Sequence, residues 1–143
     1  MTTAFSAITG AFLVALSSAP AVSASIYRAR DRELPEARGD AVNVVFEAAE
    51  PAPGAIAGAP VDWRTRIAVE CYCRTSASSA DLAMDPLLEK IFARLAADMT
   101  LGGLVDDIGY PAIEADYDSQ GQKTGWMRLT YTVQHRTSNL TLN

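Results

Sequence analysis

The chain is short of the residues that most often carry enzyme chemistry. Its 143 residues include one histidine and two cysteines. No serine, cysteine or carboxylate stands at a catalytic spacing from His135, and no glycine-rich phosphate loop, nucleophile elbow or His-Glu-x-x-His motif is present. Cys71 and Cys73 fall on one face of a predicted strand, where they are poorly placed to bridge each other, and no second cysteine pair completes a zinc site. The sequence therefore predicts no catalytic residue, no cofactor and no metal.

Positive charge and long apolar runs are also scarce. Twelve Lys and Arg stand against 17 Asp and Glu, which gives a net charge of −5. Affinity for nucleic acid rests on an excess of cations over phosphate, so DNA is not expected to be specifically bound. The apolar run at residues 11–16 is too short to span a bilayer, and no basic residue precedes it as in a secretory signal. We therefore expect no membrane partner. The two cysteines are expected to be buried thiols in a reducing compartment.

A strand followed by a helix forms the centre of the chain. From residue 63 to 74, apolar and charged residues alternate as in a half-buried strand, and between residues 84 and 95 apolar residues recur at helical spacing. The residues predicted to form the core are Ile67, Val69, Leu88, Phe92, Leu129 and Tyr131. On this interpretation Leu88→Ala and Phe92→Ala each cost about 2 to 5 kcal/mol of stability, whereas His135→Ala has little effect.

The remaining segments predict an α+β fold: a mixed, largely antiparallel sheet of about four to five strands, with an N-terminal helix and one central amphipathic helix packed on it. The central helix is expected to start with Asp85 as its N-cap and Pro86 in its first turn, and to stop at Gly102 and Gly103. Strands are predicted at residues 41–47, 113–118 and 126–136, the last two as a hairpin. One domain is expected over residues 1–143, divided into a helix (1–23), an extended arm (24–60), a core (61–137) and a loose tail (138–143).

Two groups of charged residues stand out. Arginines alternate with carboxylates in the arm, and three carboxylates share one face of the first hairpin strand, next to a turn that opens like a calcium loop but has Met127 where a glutamate ligand is needed. A solvated surface is the ordinary interpretation, and partner binding is the alternative. The residues predicted to contact partners are Arg28, Arg30, Arg32, Arg64, Arg66, Glu114, Asp116 and Asp118.

The C-terminal half carries a resemblance to a known family. A helix over residues 81–98 is followed by Leu-Gly-Gly-Leu-Val-Asp-Asp-Ile at 101–108, and then by a hairpin. In the hairpin, Gly109 and Tyr110 precede the acidic strand, and Trp126 opens a strand containing Leu-Thr-Tyr-x-Val. In order and spacing these features resemble the tail terminator proteins of long-tailed bacteriophages, the lambda type and related tail completion proteins. The resemblance covers residues 61–137, and the segment 24–60 has no counterpart in it.

The resemblance implies helices packed on a mixed sheet and a protein that assembles into a hexameric ring. In that family the ring caps the head-proximal end of the tail tube, ends tube polymerisation and offers a surface to the head connector. The implied partners are other copies, the tail tube protein and neck proteins, with DNA only passing through the lumen. The implied location is the virion, after assembly in the host bacterial cytoplasm.

Other functions remain open beside the terminator. A neck adaptor or a tail tube subunit would share the small α+β domain, and a small hydrolase using Glu114, Asp116 and His135 belongs to a different class. Within a ring, the acidic row either faces the lumen and repels phosphates or binds the arginines of the neighbouring copy. We favour the second role, because the arm supplies the arginines.

Overall fold

The structure of the protein is a computed structural model that describes residues 2–29, 39–52, 56–74, 80–118 and 124–143. Within these ranges the chain forms two helices and six strands. In chain order they are α1 (Ala4–Ser17), β1 (Ile26–Arg28), β2 (Asp40–Pro51), β3 (Val61–Arg74), α2 (Ala80–Ala96), β4 (Asp107–Ile108), β5 (Ala112–Asp118) and β6 (Thr124–Thr137).

All six strands belong to one sheet, in the order β1-β2-β3-β6-β4. β4 and β5 both pair with the same side of β6, at different positions along it. β1 runs parallel to β2 and the other pairs are antiparallel, which confirms the predicted α+β fold with a mixed, largely antiparallel sheet. The expected count of four to five strands is too low by one. β1 and β4 have three and two residues, too few for an alternating pattern to show in the sequence.

The segment expected as an exposed arm contributes to the sheet. β1 and β2 both come from it, and β2 pairs with β3 from Asp40 to Pro51. Ser25 is buried and Ile26 is half-buried, so these two residues of the arm are part of the folded domain. β1 is held by its parallel pairing to β2, a long-range contact that leaves no local signal. Arg30 and Arg32 lie outside the described residues.

Helix α1 is the predicted N-terminal helix. Its buried side chains include Ile8, Phe12 and Leu16, and the ring of Phe12 packs edge-on against Tyr131 at 5.7 Å. The Thr3 hydroxyl caps its start by accepting a hydrogen bond from the backbone of Ser6. At the other end, the guanidinium of Arg94 donates to backbone carbonyl oxygens at and just beyond the C-terminus of α1, those of Ala15 at 2.7 Å, Ser18 at 2.8 Å and Pro20. A cation at this position donates hydrogen bonds to carbonyl oxygens that have no partner within the helix, and it links α1 to α2.

Helix α2 differs from its expected bounds at both ends. It starts at Ala80 and continues through Pro86, so Asp85 is not its N-cap. It ends at Ala96, before the expected stop at the glycines, and the Asp98 carboxylate accepts hydrogen bonds from the backbone of Thr100 and Gly102 in the following turn. Gly102 has a φ of 72°, which glycine adopts without strain. The glycine therefore shapes the turn after the helix.

The core lies between the two helices and one face of the sheet. Ile67, Val69, Leu129 and Tyr131 are buried there, Leu88 is partly buried, and Phe92 is 39% exposed. The placement of Phe92 in the core is wrong. The centre of the α2 stripe is occupied by the buried residues Met84, Leu87, Ile91 and Leu95. Phe92 is one residue beyond Ile91, roughly 100° around the helix, and points away from the core toward Tyr110 and Ile113 at the edge of the sheet.

Candidate functional site

The outer edge of β5 is unpaired within the described residues. β5 pairs with β6 from Ala112 to Asp118, and no described strand pairs with its other side. An unpaired edge presents backbone N–H and C=O groups that a strand from another chain can bond. Proteins commonly protect such an edge with charged side chains, proline or a bulge. β5 has three carboxylates but no lysine or proline, and its register is unbroken. β5 is therefore a candidate for pairing with another chain.

The acidic residues of β5 lie on the face of the sheet away from the helices. Glu114 and Asp116 are exposed there, and Glu114 stands opposite Arg128 of β6. Asp118 continues the strand, but its side chain is outside what the structure describes. The two described carboxylates thus share one face, as the alternation predicted, and both reach solvent.

Arginines share that outer face. A bulge between Phe46 and Ala48 places Glu47 beside two of them, with its carboxylate 2.8 Å from Arg128 and 4.0 Å from Arg66. These groups and Glu114 line a polar recess of about 360 Å³. Arg64 is exposed on the same face. The pair of Arg128 and Glu47 is partly buried, whereas Arg66 is half exposed and its longer contact with Glu47 contributes about 0 to 1 kcal/mol.

Arg28 is separated from the acidic row in the folded chain. Its register with Val44 places it on the helix side of β1, at the opposite edge of the sheet from β5. Its guanidinium donates to the hydroxyl and carbonyl oxygens of Ser6 at 2.7 and 3.1 Å. Arg28 and Glu114 therefore differ in both edge and face, and only a second copy could bring them together.

An apolar groove runs between α2 and the helix side of β5. Its volume is about 570 Å³, with Ile113 and Leu129 on the sheet side and Leu88 and Phe92 on the helix side. Ile113 is 54% exposed. The ring of Phe92 stacks on that of Tyr110, whose residue is 82% exposed, with centroids 6.4 Å apart. Apolar side chains at this exposure leave a surface that another chain can cover.

Two carboxylates of α2 border the groove. Asp85 and Glu89 line it and are both exposed. The groove thus combines an apolar lining with an acidic rim, beside an unpaired strand edge.

His135 is buried on the helix side of β6, where it packs against other rings. Its Nε2 lies 2.6 Å from the hydroxyl oxygen of Thr65, and Phe5 meets it edge-on at 5.5 Å. Burial lowers the pKa of His135, with the charge of Asp106 opposing part of that effect. Because Glu114 and Asp116 project from the opposite face of the sheet, the trio proposed for hydrolysis does not converge. His135 is only 3% exposed, which argues against the expectation that His135→Ala has little effect on stability.

The cysteines are free and buried, and burial raises the pKa of the Cys71 thiol to about 12. In the part of the chain that the structure describes, no group of three His, Cys, Asp or Glu side chains is arranged to hold a metal ion. Neither described helix has the length and hydropathy needed to cross a membrane.

No known protein family and no curated protein matches the chain. Among solved structures, the chain is similar to one from the virion of a native gene transfer agent particle. The two share 14% sequence identity with a TM-score of 0.49, over 91% of this chain and 95% of that one. A likeness of this degree assigns no role to any residue.

The groove is the feature that the sequence did not indicate. Leu88 and Phe92 were placed in the core because an apolar residue at helical spacing has the same pattern whether a helix buries it or leaves it at an edge. Ile113, an apolar residue next to Glu114 in the acidic strand, was the available signal.

Proposed function

We propose that this protein is a virion structural protein of the tail terminator type, whose copies close into a ring of six at the head-proximal end of a phage tail tube. The ring ends tube polymerisation and joins the tail to the head connector. The support from sequence is the ordered resemblance over residues 61–137. The observation that carries the proposal is the unpaired edge of β5, because this strand belongs to the hairpin with the most specific part of the resemblance.

Contacts between copies in the ring are heterologous. A ring requires two different surfaces that meet with a rotation that closes. One surface carries the acidic row of Glu114, Asp116 and Asp118, and the other is the segment of the adjacent copy that carries Arg28, Arg30 and Arg32. Within this joint Arg28 lies on the helix side and not beside the acidic row. Arg64 and Arg66 of the outer face add contacts at the same joint. DNA passes through the lumen without being gripped, in keeping with the net charge of −5.

Native mass spectrometry of the purified protein, alone and with the tail tube protein, tests the proposal. We expect a closed species of six copies that is populated or completed when tube protein is present, together with arrest of tube growth. A concentration-independent monomer under both conditions would refute the ring. Open polymers of this chain alone would instead identify a tube subunit.

The role of the acidic row is tested with Glu114→Gln, Asp116→Asn and Asp118→Asn combined. If these carboxylates join copies, the triple variant loses the ring. If they line the lumen, the ring stays intact and genome passage slows. A matched control removes three negative charges elsewhere, through Glu50→Gln, Asp106→Asn and Asp107→Asn, all of which are exposed.

A further inference from the structure

We propose that the groove beside α2, together with the open edge of β5, receives the β1 edge of a second copy, with Arg28 under the acidic rim formed by Asp85 and Glu89. This inference rests on the proposed ring and names the joint between its copies. It adds the groove-facing side of α2 to the interface, including Leu88 and Phe92, which the sequence predicted as core residues.

The charge of β5 decides which strand can pair with it. If two β5 edges met antiparallel about a two-fold axis, Glu114 and Asp116 of one copy would stand opposite the same carboxylates of the other. Like charges directly opposite each other destabilise a strand pair. A symmetric β5 dimer is therefore disfavoured, and the strand that completes the edge must come from a different part of the molecule.

β1 is the complementary edge. It ends the sheet on the far side from β5, and within the described residues it pairs only with β2. Its register with Val42 and Val44 places Ile26 and Arg28 on the helix side of the sheet. When β1 of one copy extends the sheet of the next with both helix layers on the same side, Ile26 and Arg28 face the groove, and not the outer surface.

The chemistry of the two surfaces matches. Ile26 is half-buried in the single copy and meets the exposed Ile113, so both lose apolar surface to water on contact. Arg28 is an exposed cation, and Asp85 and Glu89 are exposed anions on the same side of the extended sheet. The joint is heterologous, so repeated copies form a ring if the rotation closes.

Charge exchange tests the joint. We expect Arg28→Glu alone, or Asp85→Lys with Glu89→Lys, to weaken self-association on the order of tenfold or more in sedimentation equilibrium. Mixing the two variants should restore assembly, because each supplies the partner that the other lacks. Lys90→Glu makes the same charge change as Arg28→Glu at an exposed α2 position that does not line the groove, and it should assemble like the unaltered chain. Equal behaviour of Lys90→Glu and Arg28→Glu, or no recovery on mixing, would overturn the proposal.

Cross-linking locates the contact directly. A chain carrying Ile26→Cys and Ile113→Cys should give covalent oligomers with a short bis-maleimide, since Cys71 and Cys73 are buried. The control pairs Ile26→Cys with Val14→Cys, which replaces a side chain of similar exposure on α1. If rings form but only the control cross-links, the joint is wrong and the terminator function stands. If no ring forms with any variant or with tube protein, the proposed function itself fails.

Discussion

Two neighbouring residues of α2 make a sharp test of which side of the helix the core uses. Ile91 is fully buried, whereas Phe92 is 39% exposed and stacks on Tyr110 at the groove. Truncation to alanine at each position removes an apolar side chain from the same helix. Both substitutions also change the intrinsic helix propensity in the same direction. The smaller side chain should nevertheless prove the more important for stability.

The expected magnitudes follow from burial. Ile91→Ala leaves a cavity among fully buried neighbours and should cost about 3 to 5 kcal/mol, the upper part of the range for buried isoleucine. Phe92→Ala removes a side chain that is partly in water, and we expect a loss of about 1 to 2 kcal/mol, including the stacking on Tyr110. At about 2 to 4 °C per kcal/mol for a domain near this size, Ile91→Ala lowers the melting temperature by roughly 6 to 20 °C.

Urea unfolding followed by circular dichroism measures both free energies, and thermal melts provide the second reading. Phe92→Ala should show its larger effect in self-association, because Phe92 lines the groove proposed to receive the second copy. If Phe92→Ala proves as destabilising as Ile91→Ala in the monomer, the helix is rotated from the position described here. The assignment of the groove would then be refuted as well.

Two further predictions concern buried titratable groups. Because burial lowers the pKa of His135 below its ordinary 6.5, the unfolded chain takes up the proton first as pH falls. The contribution of His135 to stability should be full above about pH 6.5 and should decline as pH drops from there toward the lowered pKa of the folded state. The variant His135→Gln should abolish that decline. An unchanged dependence of the free energy of unfolding on pH in the variant would contradict the reasoning. The lowered pKa values of Asp62 and Asp98 act below 3.8, outside this window. Cys71, with a pKa raised to about 12, should resist thiol reagents at pH 8 in the folded protein and react after denaturation; rapid native labelling of Cys71 would show that the core opens there.

The local pattern of apolar and polar residues was sufficient to predict burial where one side of an element faces water and the other faces the core. In β3 the alternation from Trp63 to Arg74 predicts the observed burial of Ile67, Val69 and Cys71, although Ala68 on the other face is buried as well. The same holds for β6, where Leu129 and Tyr131 are buried. A period of two residues fixes the face of every side chain once one side is buried, so the sequence carries this information itself.

The local pattern was insufficient where contacts between distant parts of the chain decide the bounds or the surroundings of an element. Pro86 suggested a helix start, yet α2 begins six residues earlier. Three residues of β1 gave no alternation, and only their parallel pairing to β2 makes them a strand. His135 follows Tyr131 and Val133 at the same two-residue period, so the strand pattern places it on the buried face, but the contacts that enclose it come from Thr65 and Phe5 in distant parts of the chain.

The sequence by itself determined the α+β class, the hairpin of β5 and β6, the acidic row on one strand face and the burial of both cysteines. Each of these follows from spacing along a single element or from net composition. The tertiary structure alone decided that Phe92 and Ile113 border an open groove, that Arg28 lies on the opposite edge and face from Glu114, and which side chains enclose His135. These depend on which elements stand beside one another, and the free energy that selects their arrangement comes from contacts between residues far apart in the chain.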